Sequence, residues 1–298
     1  LVFTAFNSHS QPIEYRNIML INEGWKFTDK PAVDPFKKKY DDSKWYNINL
    51  PHCWNTTDPY EDDNEYLRGI CWYRKKIAFP SSYNNKKIFI AFDGANQVAD
   101  LYVNGMNVGR HKGGYTAFTF DITPFVKTDG SDNCIAVQVS NAHDMFIPPL
   151  DVGYTIYGGI YRSVRLIITD KVHFETGNYG SSGVFVSTPL VSKEKANVEV
   201  KGSVKNETEE NKVIEIKNTL YDFKRNIIAS FGKSIQVQPG SSVNFDCNSD
   251  VLSRPILWSP ETPYLYSLTT TIIENGIPKD QITNQVGFRW FRFDADSG

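Results

Sequence analysis

Hydrophobic and polar positions alternate with a period of two along most of this chain. Lys87-Ile88-Phe89-Ile90-Ala91-Phe92, Ala99-Asp100-Leu101-Tyr102-Val103 and Cys134-Ile135-Ala136-Val137-Gln138-Val139 are short, rich in β-branched and aromatic residues, and bounded by polar turns. That is the pattern of strands, and no stretch shows a convincing helical period. Asn104-Gly105 directly follows the second run, and a further short strand over 107–110 comes next. Both residues tolerate positive φ, so the pair predicts a tight hairpin. Tyr161 to Thr169 reads as another strand, with Val164, Leu166 and Ile168 on one face.

The texture changes near Asp170-Lys171. Beyond it come Val184-Phe185-Val186, then 196–204, then 213–221, then a long strand pair over 227–237 and 242–247. Polar turns such as Lys205-Asn206-Glu207-Thr208 and Gln238-Pro239-Gly240-Ser241 separate them. A spacing of about ten residues is the rhythm of a seven-stranded immunoglobulin-like sandwich. The expected division is a leader over 1–14, one sandwich over 15–169, a second over 170–292, and the start of a linker at 293–298. Val286 to Phe293 reads as the last strand.

Composition narrows the function classes. Aromatic residues make up 14% of the 298 positions, an excess that suits pleated surfaces and sandwich cores. A formal charge of −2 gives no electrostatic footprint for nucleic acid or an anionic membrane. The lysine clusters Lys37-Lys38-Lys39, Lys75-Lys76 and Lys86-Lys87 have acids close by and read as solvated faces. No apolar run approaches the ~20 residues of a membrane span. Leu1 to Phe6 could be the tail of a secretory signal, which would favour a periplasmic or secreted location, or simply a leader. Cys53, Cys71, Cys134 and Cys247 show no metal-ligand spacing, and Cys71 and Cys134 read as buried thiols. Neither a metal nor another cofactor is expected.

Several segments, in order along nearly the whole chain, resemble the family-two glycoside hydrolases, the β-galactosidase, β-glucuronidase and β-mannosidase group. In the first half these are Leu50-Pro51-His52-Cys53-Trp54-Asn55, Trp72-Tyr73-Arg74-Lys75, Phe92-Asp93-Gly94-Ala95, Leu101-Tyr102-Val103-Asn104-Gly105, Gly113-Gly114-Tyr115-Thr116-Ala117-Phe118, Phe120-Asp121-Ile122-Thr123 and Tyr157-Gly158-Gly159-Ile160-Tyr161-Arg162. In the second half they are Leu257 to Tyr266 and Val286-Gly287-Phe288-Arg289. The resemblance implies an all-β chain: a jelly-roll, sugar-binding-type sandwich, then an immunoglobulin-like sandwich. A catalytic (β/α)₈ barrel of roughly 250 residues would follow after Gly298. The Tyr-Gly-Gly-Ile-Tyr-Arg form is similar to the β-galactosidase branch.

Retaining glycosidases use two carboxylates about 5–5.5 Å apart. The resemblance places both glutamates on the barrel, so no catalytic residue is assigned in this chain. It does place two stretches, 60–68 and 148–154, where family loops reach the sugar. Asp62, Asp63, Arg68, Asp151 and Tyr154 are therefore the candidate substrate-binding residues, since charged groups make the stronger hydrogen bonds to hydroxyls. A solvated turn is the plainer reading of Glu61-Asp62-Asp63. Gly158-Gly159 reads as a bulge or close backbone approach, Arg162 as a structural ion-pair partner, and Trp258 with Tyr264-Leu265-Tyr266 as core and interdomain packing. Asn55-Thr56-Thr57 and Asn206-Glu207-Thr208 fit the glycosylation pattern. The expected role is non-catalytic support of a β-galactosidase-like active site in carbohydrate metabolism. Its partners would be the carbohydrate and the barrel, with homo-oligomerisation left open. A free-standing carbohydrate-binding module and an adhesion or scaffold protein are the competing readings.

Overall fold

The computed structural model describes residues 15–58, 66–148, 155–291 and 293–296. Every strand pairing named below is antiparallel. The first half folds as a four-stranded sheet facing a six-stranded one. The smaller sheet runs in the order Asn17–Leu20, Val164–Thr169, Lys87–Phe92, Phe118–Asp121, and the larger runs Tyr46–Ile48, Trp25–Thr28, Ile70–Ala78, Asp132–Ser140, Val98–Val103, Met106–Lys112. Their facing residues make one core that includes Trp25, Tyr73, Ile88, Ile90, Phe92, Leu101, Val137 and Leu166. The Asn104-Gly105 hairpin forms as expected, with φ of 52° and 89°. The strand expected from Tyr161 begins only at Val164, and Val164, Leu166 and Ile168 share its buried face.

The outer face of the six-stranded sheet is also covered. Tyr73 points into the core, so its neighbours Trp72 and Arg74 point out, and the segment before Trp45 folds over them. Phe36 stacks on Tyr102 at 4.9 Å. Arg74 is fully buried, donating to Asp42 Oδ2 at 2.8 Å and to the carbonyls of Pro35 and Lys37. Nε and Nη1 thus find acceptors, while Nη2 is buried without one among the described residues, a cost that the Asp42 carboxylate offsets. The Trp72-Tyr73-Arg74 triplet is thus explained by packing on both sides of one strand.

The second half is the immunoglobulin-like sandwich. One sheet places Glu199–Asn206 between Ser242–Asn248 on one side and, end to end on the other, Val172–Phe174 and Val184–Ser187. The other runs Ile227–Val237, Lys212–Tyr221, Tyr266–Glu274, Ile277–Val286. The strands 227–237 and 242–248 do not form the pair expected from sequence. Each joins a different sheet, and the turn at Gln238–Ser241 carries the chain across the sandwich. The last strand also differs from expectation, because Ile277–Val286 ends where 286–293 was to begin. Phe288 is buried and bridges to Leu257, whereas Trp290, Phe291 and Phe293 are exposed. Asn275-Gly276, both at positive φ, turns Tyr266–Glu274 into Ile277–Val286.

Two residues, Asp170 and Lys171, separate the last strand of the first sandwich from Val172–Phe174 of the second. The halves meet through polar side chains that sequence reading had placed elsewhere. Lys87 is not on a solvated face: its side chain is 12% exposed and reaches Asp121 Oδ2 at 2.6 Å and Glu207 at 3.0 Å. Glu207 also takes His173 Nε2 at 3.2 Å, and the His173 ring packs on Phe89 at 5.3 Å. This contact covers the outward face of Lys87–Phe92 and accounts for its uninterrupted apolar run. Further along, Arg16 makes a two-pronged pair with Asp280, Nε to Oδ1 at 2.8 Å and Nη2 to Oδ2 at 2.6 Å.

Candidate functional site

A cleft of about 800 Å³ opens on the first sandwich beside the Tyr157–Arg162 segment. Its walls carry Cys53, Asn55, Thr56, Asn96, Tyr115, Thr155, Tyr157 and Tyr161. Two glycines let the segment lie this close to 52–54. A Cβ on Gly158 would stand 1.9 Å from the Trp54 ring, and one on Gly159, at φ +141°, would stand 2.2 Å from the His52 carbonyl. The close approach lets His52 N donate to Ile160 O at 2.8 Å and Trp54 N to Gly158 O at 3.1 Å. The expected close backbone approach is therefore what these glycines provide.

Behind the cleft lies a hub of buried asparagines. Asn141 Nδ2 donates to Asn55 Oδ1 at 3.2 Å, Leu67 O at 3.1 Å and Ile156 O at 3.0 Å, while its Oδ1 accepts Gly69 N at 2.9 Å. Asn55 Nδ2 donates to Asp58 Oδ2 at 2.8 Å and Leu67 O at 3.0 Å, and Asn55 Oδ1 also accepts Gly158 N at 2.8 Å. Asp58 Oδ2 accepts Leu67 N at 2.8 Å as well. Amides carry both donors and acceptors, so two of them can satisfy a cluster of loop backbone groups that no ladder reaches. The consequence is geometric. The stems at Asp58 and Leu67 are clasped to each other and to Ile156 and Gly158.

Those stems flank the stretches that hold the sequence candidates. Asp62, Asp63, Asp151 and Tyr154 lie outside the described residues. Arg68 is described and joins the hub: its Nε donates to Asn141 O at 3.2 Å, and its guanidinium sits 5.9 Å from the centre of the Tyr66 ring. Tyr66 OH in turn accepts Ile156 N at 3.0 Å. Arg162 is in no ion pair among the described residues and lies 5.8 Å from the Tyr161 ring centre instead; the arginine pairing nearby is Arg165 with Asp93.

Sequence reasoning missed the asparagines. Asn55 closes the Leu50–Asn55 family segment and fits the glycosylation pattern, but at 1% exposure, with its amide spent in the hub, it cannot serve as an acceptor in the folded chain. Asn206, fully buried and bonded to Glu210 O and Val237 O, is excluded on the same ground. Asn141 carried no signal at all. Asn96, whose Nδ2 donates to Tyr157 O, was equally silent.

Burial pushes the Tyr161 phenol up, against a smaller opposing influence from Arg162, and its hydroxyl donates to Gly114 O at 2.5 Å. His52 faces the Tyr73 hydroxyl at 2.9 Å, and burial lowers its pKa from the ordinary histidine value. Cys71 lies in the core with its thiol pushed up to about 12 by burial, and Cys134 is buried too. The Asn55 amide is spent in the hub and the Tyr161 hydroxyl on Gly114 O, while the walls also carry the Thr56 and Thr155 hydroxyls and the Cys53 thiol. Tyr115 and Tyr157 add exposed ring faces, at 59% and 41% exposure.

The model of "Glycosyl hydrolases family 2, sugar binding domain" matches residues 27–170, and the model of "Glycosyl hydrolases family 2" matches 182–289. The chain belongs to glycosyl hydrolase family 2. Among solved structures it is similar to β-glucuronidase 2 of Bacteroides uniformis, solved with a covalently bound cyclophellitol-6-carboxylate aziridine. That match has a TM-score of 0.88 and 40% identity over 94% of this chain and 33% of that one. Among curated relatives it is 30% identical to a β-glucuronidase of Bacteroides fragilis over 100% of this chain and 41% of the relative. A β-galactosidase of Thermoanaerobacter pseudethanolicus is 30% identical over 94% of this chain and 36% of its own length. The chain thus spans well under half of each, and both activities occur among the relatives.

Proposed function

We propose that this chain is the accessory, two-sandwich portion of a longer retaining β-glycosidase acting on β-glucuronides or β-galactosides. In this reading it walls one side of the sugar site, and the hydrolytic carboxylates stand on a barrel elsewhere in that protein. The observation that carries the reading is the asparagine hub. It fixes the stems of the 59–65 and 149–154 stretches side by side, next to a tyrosine-lined cleft, within the region that matches the family's sugar-binding domain. A site held to a fraction of an ångström needs such support beneath its loops.

Asp62, Asp63, Arg68, Asp151 and Tyr154 remain the proposed sugar contacts, with Tyr115 and Tyr157 supplying ring faces. Asp62→Ala and Asp63→Ala in the longer enzyme test this. Each lost charged hydrogen bond should weaken substrate binding by about 1–3 kcal/mol, raising KM with kcat little changed. Unaltered KM in both variants would overturn the assignment.

A further inference from the structure

The second sandwich carries a cleft of its own, about 730 Å³ in volume, within the roughly 300–1,000 Å³ of small-ligand sites. Across one face of its sheet, Phe185 pairs with Lys201, and Lys201 pairs with Asp246. Two residues on, Ser203 pairs with Asn244. Residues directly opposite, and those two apart along a strand, share a face. An apolar ring, an ammonium, a carboxylate, an amide and a hydroxyl therefore stand together.

Lys233 reaches in from the opposite sheet to Asp246 Oδ1 at 2.8 Å, and Glu175, whose N donates to Ser203 O at 2.9 Å, lines the cleft with Gly177. Phe185 is 46% exposed, a ring offered to the cleft and not to the core. The Ser203 hydroxyl is withdrawn from solvent and has no hydrogen-bond partner among the described residues.

We infer that this cleft binds a neutral saccharide, at a site distinct from the tyrosine-lined cleft of the first sandwich. A sugar ring presents an apolar C–H face, which suits Phe185, and neighbouring hydroxyls that both donate and accept, which suit the adjacent polar row. Both wall ammonium groups are already paired, Lys201 with Glu199 at 2.8 Å and Lys233 with Asp246 at 2.8 Å, so neither is left unpaired to select an anionic ligand. One exposed ring is too little apolar area for a lipid or an amphipathic helix. The inference is independent of the role proposed for the first sandwich.

Two variants test it without disturbing the core. Phe185→Ala removes the ring platform. Gly177→Tyr fills the cleft from its wall, where a Cβ on Gly177 would meet no heavy atom within 4 Å. The whole chain is titrated with neutral β-linked gluco- and galacto-oligosaccharides while amide resonances are followed. The expected result is saturable shifts at 183–185, 201–203 and 244–246, with affinity falling about tenfold or more in each variant. Absence of shifts there in the wild type would overturn the inference, as would affinity unchanged in both variants. Loss of binding in Tyr157→Ala but not in Phe185→Ala would assign the saccharide to the first cleft, overturning this site while leaving the first reading intact.

Discussion

Asp280→Ala should be among the most damaging single substitutions in the chain, because of what it strands. Asp280 accepts from Arg16 Nε at 2.8 Å, from Arg16 Nη2 at 2.6 Å and from Phe174 N at 2.8 Å. The Arg16 side chain is 3% exposed and that of Asp280 is 0% exposed. Alanine would leave a guanidinium shut away from water with the Phe174 carbonyl, at 3.2 Å, as its remaining described acceptor. Removing one member of a buried pair costs about 3–5 kcal/mol, because the survivor keeps its desolvation penalty. That is a large part of the ~5–15 kcal/mol that stabilises a typical domain. Removing both charges with Arg16→Met and Asp280→Leu should recover part of the loss, leaving the Phe174 and Gln281 amides without their carboxylate acceptor at about 1–3 kcal/mol for a buried one. Urea unfolding followed by tryptophan fluorescence measures all three states. A loss under about 1 kcal/mol in Asp280→Ala, or a double variant no better than the single one, would refute the reasoning.

Other consequences are separable. Asn141→Ala deletes the amide that holds Leu67 O, Ile156 O and Gly69 N, and should cost about 2–4 kcal/mol with faster amide exchange at Gly69 and Leu67; unchanged exchange there would contradict the hub. Burial, the largest single influence on Glu207, pushes its carboxyl up, but hydrogen bonds and charge from His173 and Lys87 together hold it below 4.5. A lowered carboxylate stabilises above its unfolded pKa and loses that contribution as pH falls through the folded value. Wild type should therefore exceed Glu207→Gln in stability near neutrality, and the gap should close as pH falls below the ordinary carboxylate range, with Lys87, Asp121 and His173 facing the group throughout; a gap independent of pH would show that the ionised form is not what stabilises.

Strand interiors were legible because alternation and β-branched content act locally, and Lys87–Phe92 has the bounds the pattern suggests. The Asn104-Gly105 hairpin was read from two residues whose backbone freedom admits few alternatives. Asn275-Gly276 gave the same signal and was passed over, which displaced the last strand towards the apolar Phe288–Phe293 run. Pairing was less legible. The segments 227–237 and 242–248 are adjacent in sequence and strand-like, but only the twist and packing of the sandwich decide that the turn between them crosses sheets. Lys87 looked like a surface lysine because its partners Asp121 and Glu207 lie 34 and 120 residues away. The asparagine hub left almost no trace for the same reason: Asn55 and Asn141 are 86 positions apart, and an amide's role depends on which backbone groups it meets. Five of the cleft's wall residues, Cys53, Asn55, Tyr115, Tyr157 and Tyr161, fall in the family motifs, yet Gly158 and Gly159 mark it by what a side chain would strike and not by any chemistry of their own.

The central claim is that this chain shapes a sugar site without performing the hydrolysis. Incubating the purified 298-residue chain with nitrophenyl β-glucuronide and nitrophenyl β-galactoside, beside a heat-inactivated control, tests it most directly. The cleft residues named here bring amides, hydroxyls, phenols and a thiol, whereas a retaining glycosidase needs an acid and a nucleophile, two carboxylates about 5–5.5 Å apart. The account predicts nitrophenol release indistinguishable from the control with both substrates. Release above the control that co-purifies with the chain and scales with its concentration would contradict it, and would place the catalytic carboxylates within these residues.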